Sequence, residues 1–345
     1  MPHRADEPES FQPPASGPST CTGHIEARPS STRFKTALAL SGGAARALSH
    51  VGVLEAVERS AFPVDMIAGS SMGAIIGGLY ACYGSARAVE ERFERFLRSR
   101  KFQRALSLAV SEREDGAGSL FDQMAFQLRK GLLVTRSVTR ESLVPLDDYM
   151  ELMSELIPDE PIETLGIPFG AVALDLLTGE EVLFRKGSLR TAICASAAIP
   201  GVLPPISHRG RSLVDGGWVD NVPAMPAIFM GAHFVVAVDA GWDVRELVRF
   251  PTSALEIAFR SNDIARIELN RHRSAVADVL LKPQLVDVSW SEFNAMKRCV
   301  TAGREAWRLN LRSVRARRLQ RWFRTAGGRL HPGRKNRWKR PVVVF

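Results

Sequence analysis

The chain has 345 residues, 45% hydrophobic and 24% charged, an ordinary globular composition with enough apolar material for one large domain or two small ones. The net charge is +9, but twelve Lys/Arg and no Asp/Glu occur from Arg312 onward; without that segment the chain stands at −3, so the basicity belongs to a tail. No apolar run is long enough for a spanning helix, and four widely spaced cysteines (Cys21, Cys82, Cys194, Cys299) argue for reduced thiols rather than a zinc site or disulfide framework.

Residues 1–34 are rich in Pro, Ser, Glu and Arg and lack the apolar stretch of a secretory signal, so a disordered tail is expected. Thr36 to Leu40 reads as a buried strand and runs into Ser41-Gly42-Gly43-Ala44-Ala45-Arg46. Leu48, Val51, Leu54 and Val57 recur every three residues and predict a helix, which Phe62-Pro63 ends. Val64 to Ala68 predicts a second strand, ending in Gly69-Ser70-Ser71-Met72-Gly73, and a second helix should run to about Cys82. This βαβ arrangement makes the two strands parallel and opens both glycine loops at one sheet edge. Residues 86–164 are charged and helical in pattern and read as a cap or insertion. Strands are expected at Phe169–Leu174, Val182–Phe184, Ser212–Val214, Phe234–Val238 and Val279–Leu281, with a hairpin turn at Thr178-Gly179.

Gly69-x-Ser71-x-Gly73 fits a nucleophile elbow, in which a sharp strand-to-helix turn needs small neighbours and projects the serine alone. The Ser41–Ala45 loop opens a helix at the same edge, so its free amides suit an oxyanion hole. A phosphate cradle is the rival reading, but neither G-x-G-x-x-G nor a Walker lysine is present. A serine hydroxyl needs a base. His3, His24 and His331 lie in the tails. His50 sits inside the first helix, His208 precedes a turn, His233 opens a strand and His272 lies among helical arginines, so each reads as a surface or structural histidine. Asp215 ends a short strand and precedes Gly216-Gly217; it is either a carboxylate presented at a strand end or a plain turn aspartate.

Four ordered blocks resemble the bacterial patatin-like phospholipases, especially the branch similar to the catalytic domain of neuropathy target esterase. They are Ser41-Gly42-Gly43-Ala44-Ala45-Arg46, Gly69-Ser70-Ser71-Met72-Gly73, Ala195-Ser196-Ala197-Ala198-Ile199-Pro200 with Pro204-Pro205, and Asp215-Gly216-Gly217 with Asn221-Val222-Pro223. Asp175-Leu176 with Thr178-Gly179-Glu180 is also similar. The resemblance implies a three-layer α/β/α fold with a mainly parallel central sheet and a helical insertion. It covers roughly residues 35–305 as a catalytic domain, with 306–345 a basic helix and tail. It implies lipid acyl hydrolysis by a Ser71–Asp215 dyad, with oxyanion donors at Gly42, Gly43 and Ala44, Arg46 near that loop or a lipid head group, and no metal or other cofactor. The sequence departs from the family at Ser41 and Ala47, where glycine is usual. The alternatives are a non-catalytic, membrane-associated regulatory relative and a His-dependent α/β-hydrolase with Asp239 as acid partner.

Trp307, Leu311, Val314 and Trp322 recur near helical spacing among Arg315, Arg317, Arg318, Arg321 and Arg324. This predicts an amphipathic helix on an anionic membrane, with a solvated, partly disordered tail and a nucleic-acid contact as the alternatives. The expected location is cytoplasmic, peripheral on the inner face of the membrane.

Overall fold

The computed structural model describes residues 34–109, 141–242, 250–285, 287–326 and 343–345. Residues 1–33 of the expected tail, 110–140 of the expected insertion and 327–342 of the basic segment lie outside them. The central sheet is built from β1 (Thr36–Leu40), β2 (Met66–Ser70), β3 (Phe169–Asp175), β4 (Glu181–Phe184), β5 (Ile206–His208), β6 (Arg211–Asp215), β7 (Phe234–Val238), β8 (Val279–Leu281) and β9 (Val343–Val344). β8, β7, β1, β2 and β3 lie side by side and parallel. Strands buried on both faces need apolar residues on both, which is why β1 and β7 read as unbroken apolar runs. Leu38, Leu40, Ile67, Val236 and Val238 point into one core layer. Ala37, Ala39, Met66, Ala68, Val235 and Ala237 point into the other.

The first layer is covered by α1 (Ser49–Arg59), α2 (Met72–Tyr83), α6 (Leu189–Ala197) and α9 (Met296–Ala326), and the second by α7 (Ala224–Phe229). α3 (Ala86–Leu97), α4 (Arg100–Ala109) and α5 (Leu146–Leu156) fall within the expected insertion, on either side of residues 110–140. α8 (Ala254–Ser274) carries the chain from the end of β7 back to the start of β8. The architecture is three-layer α/β/α with a mainly parallel sheet.

The placement of the site follows from the two edges of β3. On one edge β4 pairs antiparallel with Ala171–Leu174. On the other, β2 runs parallel as far as Ser70 opposite Val172. β6 then takes over antiparallel on that same edge, with Asp215 opposite Ala173. β2 and β6 therefore meet end to end, and the residues at their tips, Ser71 and Asp215, face each other.

α9 is one continuous helix through positions 305 and 306, and it crosses α1 at a point of backbone contact. A Cβ on Gly303 would sit 1.8 Å from the Ser49 carbonyl oxygen, and one on Gly52 would sit 1.8 Å from that of Val300. Gly303→Ala must push the helices apart, so we expect a loss of about 3 kcal/mol, read as a lower Tm in thermal melts. The stripe expected to face a membrane is largely turned inward. Trp307 and Val314 are buried, Leu311 packs against the same core, and the Trp307 ring lies edge-on to Phe62 at 5.1 Å. The pattern reported a buried face, and the domain itself covers it.

The arginines of the helix's second half reach the starts of the parallel strands. Arg318 bonds Thr36 Oγ1 (2.9 Å), Arg321 the His233 carbonyl and Arg317 the Asp278 carbonyl. That end of α9 is thus at the sheet edge opposite Ser71. Cys194 and Cys299 are free and buried, as the sequence leads one to expect, and Cys82 is buried in α2.

Candidate active site

β2 delivers Ser71 into the turn that opens α2. Ser71 has φ 52° and ψ −125°, a left-handed conformation that a residue with a Cβ adopts only under strain. The turn is tight because α2 starts against the end of β1: a Cβ on Gly73 would lie 2.2 Å from the Leu40 carbonyl oxygen. The Ser71 amide donates to Ser196 Oγ (3.0 Å), at the end of α6.

The Ser71 hydroxyl donates to Asp215 Oδ2 at 2.6 Å. The other carboxylate oxygen accepts from the Gly217 amide at 2.7 Å, so the turn after β6 fixes the side chain. Asp215 is only 2% exposed. Burial pushes its carboxyl up to about 6, against the opposing pull of the hydrogen bonds from Ser71 and Gly217 and the positive charge of Arg266.

Gly42 lies against Ser71, a Cβ there falling 3.6 Å from Ser71 Oγ. Its amide, however, donates to the Asn221 carbonyl (3.2 Å) and is spent. The Gly43 and Ala44 amides have no acceptor among the described residues, so the free donors of the loop are those two. Ala44 holds a φ of 46°, a second strained position beside Ser71.

Arg46 lies beside the glycine loop, the first of the two places expected for it. It is 3% exposed and its guanidinium is taken up by the backbone carbonyls of Ala240 (3.3 Å), Val288 (3.2 Å) and Gly241 (3.3 Å), with the Trp242 ring 4.7 Å away. A long cation surrounded by carbonyls acts as a clamp between the glycine loop after β1 and the segment after β7.

No described histidine is hydrogen-bonded to Ser71 or Asp215. His50 is buried with Nε2 2.8 Å from the Ser41 carbonyl oxygen, and burial pushes its imidazole down to about 4. His208 meets the Phe184 and Phe345 rings edge-on, and His233 Nδ1 accepts from the Lys35 amide. The charged partner of Asp239 is Lys282, at 3.4 Å. Among the described residues, no group of three or more His, Cys, Asp or Glu could hold a metal ion.

Two contributors carry no signal of their own in the sequence. Ser196 and Asn221 stand inside the motif blocks, yet only the structure shows Ser196 holding the Ser71 amide and Asn221 holding Gly42. α8 anchors the Asp215 loop from behind. Asn270 Oδ1 accepts from the Asn221 amide (2.9 Å), and Arg273 pairs in the interior with Asp220 (3.1 Å) and Glu181.

A mainly parallel α/β sheet thus presents a strained serine at a strand-to-helix turn with a buried carboxylate on its hydroxyl. The model of the patatin-like phospholipase family matches residues 38–228, more than half of the chain. The chain belongs to the patatin-like phospholipase family.

It is 33% identical over 204 residues to an uncharacterized NTE family protein of Mycobacterium tuberculosis, covering 59% of this chain and 48% of that one. It is 36% identical over 207 residues to human patatin-like phospholipase domain-containing protein 6, covering 59% of this chain and 13% of the human protein. The chain thus spans less than half the length of these relatives. The crystal structure of VipD from Legionella pneumophila aligns over 81% of this chain and 67% of that one, at 14% identity and a TM-score of 0.42.

Proposed function

We propose that this protein is a serine lipid acyl hydrolase, a carboxylic ester hydrolase of phospholipase or lysophospholipase type, and the observation that carries the reading is the 2.6 Å hydrogen bond from Ser71 to the buried Asp215. Asp215 Oδ2 takes the hydroxyl proton as Ser71 Oγ attacks the ester carbonyl carbon. The carbonyl oxygen gains negative charge and is met by the Gly43 and Ala44 amides, with the N-terminus of α2 favouring the same charge. Collapse expels the alcohol, which takes the proton back from Asp215 and leaves an acyl-Ser71 ester. Water, activated by Asp215, then releases the fatty acid. A lysophospholipid is the first substrate to test: purified protein should release free fatty acid from lysophosphatidylcholine micelles, and no release from that or any other glycerolipid ester would defeat the reading.

The membrane contact we propose is narrower than the stripe read from the sequence. With Trp307 and Val314 buried, the apolar side chains left exposed on α9 are Leu309, Leu319, Trp322 and Phe323, the last three among arginines. No described helix is long and apolar enough to cross a membrane. Contact through this end would hold the domain by the edge opposite Ser71 and act in recruitment rather than in delivering the ester. Replacing Leu319, Trp322 and Phe323 together with Ser should weaken sedimentation with anionic vesicles about tenfold and leave hydrolysis of a monomeric ester unchanged. Undiminished sedimentation would remove α9 from the contact.

A further inference from the structure

We propose that Ser41 is a positioning residue that sets the orientation of the oxyanion-binding peptide, an inference that rests on the hydrolase reading above. Ser41 is fully buried and every polar group it has is engaged. Its amide donates to the Val238 carbonyl (3.1 Å), which continues the β1–β7 ladder one residue past the strand. Its own carbonyl oxygen meets His50 Nε2 at 2.8 Å. Its hydroxyl accepts from the Ala240 amide at 2.8 Å and donates to the Gly42 carbonyl oxygen at 2.8 Å.

The last bond is the informative one. The Gly42 carbonyl and the Gly43 amide belong to one planar trans peptide unit, so they point in opposite directions. Tying the carbonyl to Ser41 Oγ turns the Gly43 N–H away from Ser41. That N–H finds no acceptor among the described residues, and the residue before it lies against Ser71. At Gly43, whose φ is 149°, steric restraint on the peptide is weak, so a side-chain hydrogen bond is what can select one orientation. Ala240, which supplies the proton to Ser41 Oγ, also offers its carbonyl to Arg46. The hydroxyl therefore joins the oxyanion loop to the segment that Arg46 clamps.

The mechanism makes a specific demand on this bond. A peptide free to rotate presents its N–H to the developing oxyanion only part of the time. The penalty falls on the chemical step and not on ester binding. Ser41→Ala and Ser41→Gly should therefore lower kcat per active site on the order of ten- to a hundredfold with KM within about twofold. The pH profile should not move, because Ser71, Gly217 and the burial of Asp215 are untouched.

The measurement is kcat and KM on p-nitrophenyl butyrate, with active sites counted by stoichiometric fluorophosphonate titration so that partial unfolding drops out. Should the alanine variant fail to fold, Ser41→Cys keeps the volume with a much weaker hydrogen-bonding group and should lose kcat in the same direction. A kcat per titrated site within twofold of wild type in the folded variants overturns the proposal while leaving the hydrolase reading intact. A wild type that neither hydrolyses the ester nor takes the probe at Ser71 defeats the hydrolase reading, and this proposal with it.

Discussion

Asp215→Asn is expected to lower kcat/KM by about 10²–10⁴-fold while leaving the fold intact. The amide can still accept the Gly217 N–H and keep its place in the turn, but it cannot take the Ser71 proton. Stability gives the control. Folding raises this carboxyl from its ordinary value near 4 to about 6, so the folded state holds the proton more tightly than the unfolded chain. Ionisation then costs stability as pH rises from about 4 to about 6, and the cost persists above that window. The neutral amide avoids it at pH 7, so the Tm of the variant should hold or rise as activity collapses. In the wild type the acid limb of kcat/KM should bend near pH 6, with the rate rising with pH below that point and flat above it. A limb near pH 4, or none, would mean that Asp215 is not the group that titrates.

Ser71→Ala and Ser71→Gly should both abolish turnover, and the difference between them tests the strain at the elbow. Both remove the nucleophilic oxygen. Alanine keeps a Cβ at φ 52°, whereas glycine adopts that conformation without penalty. Against a strain of order 1–3 kcal/mol stands the greater freedom of glycine in the unfolded chain, about 0.4–1 kcal/mol. The glycine variant should therefore be the more stable by about 1 kcal/mol, seen as the higher Tm of the two. Equal melting temperatures would show that the turn is not stressed.

Much of this site can be read from the sequence because it is built locally. The run from Thr36 to Cys82 holds strand, loop, helix, strand, elbow and helix with each boundary marked by glycine, proline or a change of period, and the structure follows it closely. β2 begins at Met66 rather than Val64, and Asp65 before it meets Thr36 with its side chain, which accepts the Thr36 amide, and with its own amide, which donates to the Thr36 carbonyl. Phe234–Val238 and Val279–Leu281 are strands as expected. What stayed hidden depends on partners remote in sequence. The meeting of β2 with β6 is a pairing on β3 that no periodicity encodes, and β5 is only three residues long. The acceptors of Arg46 lie about 200 residues away, so a basic residue beside a glycine loop reads equally as a ligand contact or a clamp. The amphipathic pattern of α9 shows that one face is buried and is silent on whether lipid or protein covers it.

Mapping a fluorophosphonate adduct by mass spectrometry tests the pairing of Ser71 with Asp215 most directly. The phosphonyl group should sit on Ser71 in the wild type, form at least a hundredfold more slowly in Asp215→Asn, and form at an undiminished rate when His50, His208, His233 or His272 is changed to Gln in a protein that still folds. An adduct on another serine, or Asp215→Asn labelling at the wild-type rate, would contradict the account.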